Sequence, residues 1–170
     1  MRRSEAIAIR KNITDRKTKE RAIREKLAPF LEGKERIAAY WPVNGEADVF
    51  EEGFYLPKTM DDRSLRFGRE DTTPGYMNIP EPKNAPFSVS DMDVILVPLV
   101  QFMGTHRQGY GQGCYDRTLK DADCLKIGIA FDEQEGEFDV HSWDVPLDMV
   151  ITPGKIVTNA YNEGDMELIK

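Results

Sequence analysis

The sequence predicts an α/β fold in which helices flank a mostly parallel sheet, giving three layers. Three almost continuous apolar runs have the composition of buried parallel strands: Asp93–Val97 (DVILV), Leu125–Phe131 (LKIGIAF) and Met149–Thr152 (MVIT). Helical patterns lie before the first run and between the first two, and this alternation is typical of layered α/β proteins. A length of 170 residues fits one domain with a full core, so we expect residues 1–170 to fold together.

The first third of the chain predicts two helices. Residues 4–12 form a short, weakly amphipathic segment, and Thr14 is a candidate cap for a longer helix that ends near Gly33. Pro29 is expected to kink that helix or end it early. Its apolar stripe consists of Ile23, Leu27, Phe30 and Leu31.

Short elements precede the three apolar runs. Arg36–Trp41 (RIAAYW) predicts a buried strand, and residues 44–46 predict a turn into a short helix. Two further short strands are predicted at Phe54–Pro57 and Leu65–Phe67. Residues 70–91 are expected to be a long irregular connection, which small domains usually keep for function.

The predicted topology also indicates where a ligand would bind. In Rossmann-like sheets, ligands bind at the carboxyl ends of the strands, where the loops gather. The loop after Asp93–Val97 has that position, and a short helix is predicted after it at Tyr115–Leu119. We therefore expect the functional residues in residues 98–117.

The charge balance restricts the class of ligand. The formal net charge is −7, which disfavours a nucleic-acid partner because phosphate backbones need a basic face. A small polyanion would need a local positive site within the acidic protein.

The compartment is predicted to be the cytoplasm, with no membrane partner. No apolar run is long enough to cross a bilayer, and the first residues lack a signal-peptide core. Cys114 and Cys124 are too far apart for a CxxC motif, so reduced, unpaired thiols are expected.

The segment Gly104–Arg117 (GTHRQGYGQGCYDR) meets the requirement for a local positive site. Alternating glycines let backbone N–H groups approach an anion, and a helix starting near Cys114 would add its positive end. His106, Arg107 and Arg117 supply charge nearby. The segment matches neither the P-loop nor the GxGxxG pattern, so the residues alone leave open a glycine-rich turn without a ligand.

Two carboxylates near this segment are candidate metal ligands. Asp116 follows the glycines, and Asp148 begins a late strand. Mg²⁺ bound with nucleotide phosphates uses one or two protein carboxylates, so this pair would suffice. Taken singly, each Asp in a chain with 30 acidic residues is better explained as a surface group or a helix cap.

Several sequence blocks, in order and spacing, resemble the 5-formyltetrahydrofolate cyclo-ligases (methenyltetrahydrofolate synthetases). The resemblance runs from about Tyr40 to Thr152, with a looser match in the N-terminal helices. The blocks are Asn78–Pro82 (NIPEP), Asp93–Pro98 (DVILVP), Gly109–Arg117 (GYGQGCYDR), Lys126–Asp132 (KIGIAFD) with Gln134, and Asp144–Asp148 (DVPLD). Their combination is far more specific than the glycine motif.

The resemblance implies an enzyme that converts 5-formyltetrahydrofolate and ATP to 5,10-methenyltetrahydrofolate, ADP and phosphate. Mg²⁺ would accompany ATP, the partners would be small molecules, and no obligate protein partner is implied. The chemistry needs positioning and charge neutralisation rather than a covalent enzyme nucleophile.

The resemblance also assigns residues to the two substrates. It implies that ATP contacts Arg3, Arg107 and Gly109–Tyr115. It also implies that Asp116 and Asp148 ligate the metal. The reduced folate would contact Trp41, Glu46 and Tyr110–Cys114. Catalytic roles fall to Arg107, Gln112 and Tyr115. Individually, the loop residues are Gly109, Tyr110, Gly111, Gln112, Gly113, Cys114 and Tyr115.

Four positions depart from the usual family pattern. Cys114 replaces a tyrosine, Gln108 a leucine, Met103 an acidic residue, and Trp143 the histidine before Asp144. The usual N-terminal lysine, four residues before the position of Arg3, has no counterpart. These departures keep two alternatives open: a diverged paralogue that acts on another formylated or pterin-like acceptor, and a non-catalytic folate- or nucleotide-binding protein.

Overall fold

A five-stranded sheet forms the centre of the structure, a computed structural model that describes residues 1–75 and 78–158. Its strands, in spatial order, are β1 (Ile37–Ala38), β6 (Val94–Pro98), β9 (Leu125–Ile129), β10 (Met149–Ile151) and β11 (Ile156–Thr158). The first four are parallel, and β11 pairs antiparallel with β10 at one edge. The predicted mostly parallel sheet is confirmed, whereas residues 159–170 of the predicted domain lie outside the described part.

The three predicted apolar runs form the inner strands, each slightly shorter than predicted. All five residues of β6 are buried, as expected for a strand covered on both faces. β6 pairs with β9 so that Val97 lies opposite Gly128. The run at 125–131 ends as a strand at Ile129, and the run at 149–152 ends at Ile151.

Helices α1 (Arg3–Lys11), α2 (Arg16–Leu31) and α3 (Cys114–Leu119) correspond to the predicted ones, but two details were wrong. The residue before α2 is Asp15, at a left-handed φ of 53°, and not Thr14. The helix also continues to Leu31 beyond Pro29, because a proline in the last turn removes only one helical hydrogen bond.

Apolar side chains fill both faces of the sheet and produce the three layers. Val94 and Leu96 belong to a cluster on one face, together with Ile23 and Leu27 of α2. The alternate β6 residues, Ile95 and Val97, belong to the cluster on the other face, together with Leu119 of α3. The fold class predicted from the sequence is thereby confirmed.

Three hairpins lie outside the central sheet. They are β2–β3 (Leu56–Thr59, Leu65–Gly68), β4–β5 (Thr72–Pro74, Pro80–Pro82) and β7–β8 (Gln101–Met103, His106–Gln108). The first contains the two predicted short strands, and the second lies within the segment that was predicted to be irregular. Among the described residues, no helix is long and apolar enough to cross a bilayer.

The segment after β1 differs from its prediction. The predicted strand Arg36–Trp41 is reduced to Ile37–Ala38, and the turn at Asn44–Gly45 leads into no helix across residues 46–54. Glu46 accepts a hydrogen bond from the Val43 N–H, and the Tyr40 hydroxyl donates to the Ala47 carbonyl. These side-chain bonds satisfy the backbone locally and stabilise an irregular loop instead of a helix.

Substitution Gly128→Ala is expected to destabilise the protein by about 1–3 kcal/mol, because the added methyl group overpacks the core. An ideal Cβ at this position would lie 2.6 Å from Leu147 Cδ1 and 3.1 Å from Leu99 Cδ2. Urea unfolding with an unchanged m-value measures the effect. Gly75→Ala is the control, since its Cβ would meet only the mobile Glu81 side chain; equal stability loss in both variants would contradict the packing argument.

Candidate active site

A cavity of about 1090 Å³ opens at the carboxyl end of β6, where the topology predicted a ligand. Pro98 and Leu99, at the end of that strand, form part of its wall. The N-terminus, the loop after β1, the hairpins β2–β3 and β4–β5, and residues 137–144 complete the wall. Every predicted site residue except Asp148 lines this cavity.

The glycine loop, defined here as Gly109–Gly113, connects β8 to α3 along one wall. Gly111 and Gly113 have φ values of +95° and +75°, a left-handed region that favours glycine. An ideal Cβ at Gly113 would also lie 2.9 Å from Arg117 Nη1. The alternating glycines thus permit a backbone course that ordinary residues would strain.

Two arginines beside the glycine loop supply positive charge, and one of them, Arg3, bonds the loop directly. Arg3 Nε donates to the Gly109 carbonyl at 2.8 Å, and Arg107 Nε donates to the Pro98 carbonyl at 3.2 Å. The Arg107 guanidinium lies 5.2 Å from the centre of the Tyr115 ring, in cation–π geometry. The cavity therefore contains the local positive site that an acidic protein needs for a polyanionic ligand.

Arg107 is also surrounded by acidic groups. Burial lowers the pKa of Arg107, and negative charge on neighbouring groups opposes that effect. These neighbours are Asp116, Tyr115, Glu46 and Asp144. Burial raises the pKa of the Tyr115 phenol well above its usual value, so Tyr115 faces the cavity as a neutral donor.

The remaining residues predicted in the loop occupy different environments. Gln112 Oε1 accepts a hydrogen bond from Arg63 of the β2–β3 turn at 2.5 Å. Cys114 is half-buried, begins α3 and is unpaired; Cys124 is buried and also unpaired, as predicted. Arg117 turns back to donate to the Gln112 carbonyl at 2.8 Å, and neither it nor His106 lines the cavity.

Glu46 and Trp41, in the loop after β1, also line the cavity. Glu46 is only 7% exposed, and burial raises its pKa to about 7 although its backbone partner Val43, Arg10 and Arg107 lower it. Its Oε1 accepts the Val43 N–H at 2.9 Å. Trp41 is 41% exposed and contacts Phe50 edge-on, with the ring centres 5.3 Å apart.

Of the two predicted metal ligands, Asp116 lines the cavity and Asp148 does not. Asp148 precedes β10, so it lies at the amino edge of the parallel sheet, where it accepts the Lys126 N–H at 2.7 Å. Asp144 is among the other carboxylates that line the cavity together with Asp116.

The side chains of Asp116 and Asp144 both accept hydrogen bonds from the backbone of residues 141–145. Asp116 Oδ1 accepts the Val145 N–H at 3.3 Å, and Asp144 Oδ2 accepts the His141 N–H at 2.8 Å. Each carboxylate uses one oxygen in these bonds, and within the described part of the chain the other oxygen has no hydrogen-bond partner. No cluster of three or more potential metal-binding side chains occurs in the described ranges 1–75 and 78–158.

Sequence reasoning missed Arg10, Tyr40 and Asp144. The sequence could have excluded Asp148, because a residue that begins a parallel strand lies at the edge opposite the ligand-binding edge. Asp144 would then have been the next candidate. Arg10 gives no such signal, since a basic residue on a weakly amphipathic helix normally faces solvent. Tyr40 was expected only as part of a buried strand.

Comparison with known proteins identifies the family. The model of the 5-formyltetrahydrofolate cyclo-ligase family matches residues 2–153. The chain belongs to that family. A 5-formyltetrahydrofolate cyclo-ligase from Mycoplasma pneumoniae is 33% identical over 145 residues, covering 76% of this chain and 81% of the relative. A cyclo-ligase from Mycoplasma genitalium is 29% identical over 171 residues, covering 91% and 93%.

Solved structures of cyclo-ligase relatives have the same architecture. A 5,10-methenyltetrahydrofolate synthetase from Mycoplasma pneumoniae superimposes with a TM-score of 0.73 at 27% identity, covering 89% of this chain and 96% of that chain. The synthetase from Aquifex aeolicus gives a TM-score of 0.79 at 25% identity, covering 95% and 92%. The fold is therefore that of this enzyme family over nearly the whole chain.

The pKa of Glu46 generates a prediction about stability. A folded-state value of about 7 exceeds the ordinary 4.5, so the folded protein binds more protons between these values than the unfolded chain. The stabilisation that comes from protonated Glu46 is fully present below the pKa of the unfolded chain and is lost as pH rises through about 7.

Glu46→Gln is expected to remove this pH dependence. Relative to the variant, the wild type should lose on the order of 2–3 kcal/mol of unfolding free energy between pH 5 and pH 8. Urea unfolding of both proteins at intervals of one pH unit measures the difference. A difference that stays constant across this range would show that Glu46 titrates normally.

Proposed function

We propose that this chain converts 5-formyltetrahydrofolate and ATP to 5,10-methenyltetrahydrofolate, ADP and phosphate. The observation that carries the proposal is a single cavity lined by the glycine loop, Arg107 and Asp116 together with the buried Glu46. Its volume of about 1090 Å³ is above the range usual for one small ligand, as a site for two substrates requires. The family match over residues 2–153 names the same activity.

The phosphate groups of ATP are assigned to the glycine loop and the arginines. Backbone N–H groups near Gly111 and Gly113, with their left-handed conformations, form a suitable surface for oxygen anions. Arg107 stacks on Tyr115, so its charge is held at the cavity wall. Arg3 lies within reach of the same loop. Fixed positive groups of this kind stabilise negative charge that develops on a transferring phosphoryl group.

The reduced folate is assigned to the side of Glu46 and Trp41. The carboxylate of Glu46 has no hydrogen-bond partner for Oε2 within the described part of the chain, so this oxygen is available to the N–H donors of a pterin. The exposed face of Trp41 offers a flat apolar surface to the ring.

In the proposed reaction, the formyl oxygen of the folate attacks the γ-phosphorus of ATP, and the bond to ADP breaks. N10 then attacks the phosphorylated formyl carbon to close the ring and releases its proton to solvent, and phosphate leaves with the former formyl oxygen. The protein aligns the two substrates and excludes competing water, and no side chain forms a covalent bond. We propose Arg107, Gln112 and Tyr115 as the groups in contact with the reacting atoms.

We propose that Asp116 and Asp144 hold Mg²⁺ with the phosphates. Both line the cavity, both affect Arg107, and each keeps a carboxylate oxygen free, which suits a cation that needs only one or two protein carboxylates. The ion, when bound, would neutralise phosphate charge. Asp148 is not part of this proposal, since it lies away from the cavity.

The cytoplasm is the proposed location. The support is chemical: ATP is a co-substrate of the family, and both cysteines are unpaired, as expected in a reducing compartment. The absence of nucleic-acid and obligate protein partners remains a prediction from charge and from the resemblance.

The absorbance of methenyltetrahydrofolate tests the activity directly. It should rise when the protein meets 5-formyltetrahydrofolate, ATP and Mg²⁺, and the rise should vanish when ATP or the metal is omitted. No rise with ATP still bound would favour a paralogue with another acceptor or a binding protein.

Asp144→Asn is expected to lower turnover at limiting Mg²⁺ by at least about tenfold, with partial recovery at higher Mg²⁺, because one ligand charge is lost. Asp148→Asn is the matched control and should keep the magnesium dependence of the wild type. If the Asp148 variant alone loses magnesium dependence, the assignment of Asp144 is wrong.

Cys114→Tyr restores the residue that the family usually has. Because Cys114 lines the cavity beside Tyr115, a larger ring with a hydroxyl would fill more of the site. If the cysteine is a tolerated loss, kcat/KM should rise. A fall would indicate that the cavity has been reshaped around the thiol.

A further inference from the structure

Arg10 is a fully buried arginine on α1, directly behind the cavity wall. Its Nε donates to the Asn44 carbonyl at 3.0 Å, and its Nη1 donates to the Leu99 carbonyl at 2.8 Å. Its Nη2 donates to the hydroxyl oxygen of Tyr110, and Nη1 lies 3.9 Å from Glu46 Oε2. One guanidinium thus contacts three separate segments of the chain: the loop after β1, the end of β6 and the glycine loop.

The contacts of Arg10 converge on both sides of the cavity. Tyr110 belongs to the glycine loop on the ATP side, and Glu46 lies on the folate side. Tyr110 is 40% exposed, so surrounding atoms hold its ring only in part. The guanidinium lies 5.3 Å from the centre of that ring and bonds its hydroxyl, so Arg10 contacts both polar and aromatic parts of the side chain.

A purely structural role does not account for this arrangement. The bonds to the Asn44 and Leu99 carbonyls would be enough to fasten α1 to the rest of the fold. Desolvating a guanidinium and a carboxylate together is costly and rarely adds net stability. The distance of 3.9 Å from Arg10 Nη1 to Glu46 Oε2 is longer than a hydrogen bond. The positive charge therefore acts on Oε2 while this oxygen can still accept a hydrogen bond from a ligand.

We propose that Arg10 is a positioning residue for both substrate subsites: it orients Tyr110 in the glycine loop, and its charge keeps Glu46 ready to accept hydrogen bonds from the folate. The proposal deepens the proposed function and rests on it for the identity of the two ligands. It also means that the ATP side and the folate side depend on one buried group.

The groups that face Glu46 define what loss of Arg10 would do. Arg10 and Arg107 are the positive groups that favour its ionised form, and the phenols of Tyr40 and Tyr115 face it as neutral groups. Removing the charge of Arg10 would leave Arg107 as the nearby cation acting on Glu46. The neutral form of Glu46 would then persist to higher pH.

The test uses three substitutions that remove different parts of the interaction. Arg10→Gln removes the charge, Arg10→Lys keeps a charge but loses the planar fork, and Tyr110→Phe removes only the hydroxyl acceptor. The matched control is Arg66→Lys, because Arg66 likewise bridges backbone carbonyls (Ala85 and Pro86) but does not line the cavity.

The first readout is the Michaelis constant for each substrate, with kcat measured separately. Arg10→Lys and Tyr110→Phe should each raise KM for ATP, about tenfold for the lysine variant, because a hydrogen bond from a charged group is lost. Arg66→Lys should leave both KM values unchanged. Equal KM values in wild type and Tyr110→Phe would overturn the role assigned to the phenol, even if the Arg10 variants fail to fold.

The second readout is a carbon-13 NMR titration of Glu46 in the ligand-free protein, which does not depend on activity. Arg10→Gln should move the Glu46 midpoint upward by about 1 pH unit, and Tyr110→Phe should not move it. An unmoved midpoint in folded Arg10→Gln would overturn the electrostatic part of the proposal. If the wild type lacks cyclo-ligase activity, the proposed function fails, whereas the titration still decides whether Arg10 controls Glu46.

Discussion

The parallel pairing of β6 with β9 and β1 is the constraint on which the site depends. Parallel strands all end at one edge, so the loops that follow them must meet there. Pro98 and Leu99 at the end of β6 lead into the β7–β8 hairpin, and this hairpin delivers the glycine loop to the cavity. At Gly128 of β9, opposite Val97 of β6, a side chain would meet those of Leu147, Leu99 and Val150, which pack closely over this part of the sheet.

Side-chain hydrogen bonds, more than regular secondary structure, shape the loop after β1. Residues 39–54 form no helix or strand, yet Tyr40, Ala47 and Val49 are buried within them. The bonds from Tyr40 to Ala47 and from Val43 to Glu46 hold this loop in place. The Glu46 carboxylate is therefore buried at a defined position, and this burial raises its pKa. A carboxylate fixed in this way suits a ligand with several N–H donors.

Much of the fold followed from the sequence, because buried parallel strands have an apolar composition that few other elements share. Asp93–Val97 was recognisable for this reason, and the glycine loop was recognisable because alternating glycines impose a distinctive backbone. The helix predicted after β1 is absent because local side-chain hydrogen bonds, such as that from the Val43 N–H to Glu46, satisfy the backbone in an irregular loop instead. The burial of Arg10 could not be predicted, since it depends on carbonyls 34 and 89 residues away in the chain.

Both tryptophans of the chain, Trp41 and Trp143, line the cavity. Trp41 is 41% exposed, and Trp143 is 68% exposed and stacked on His141 with ring centres 4.5 Å apart. Indole emission shifts to shorter wavelength when water is displaced from the ring. The intrinsic fluorescence of the unmodified protein consequently originates at the site itself, and occupancy of the cavity by any ligand can be followed optically without a label.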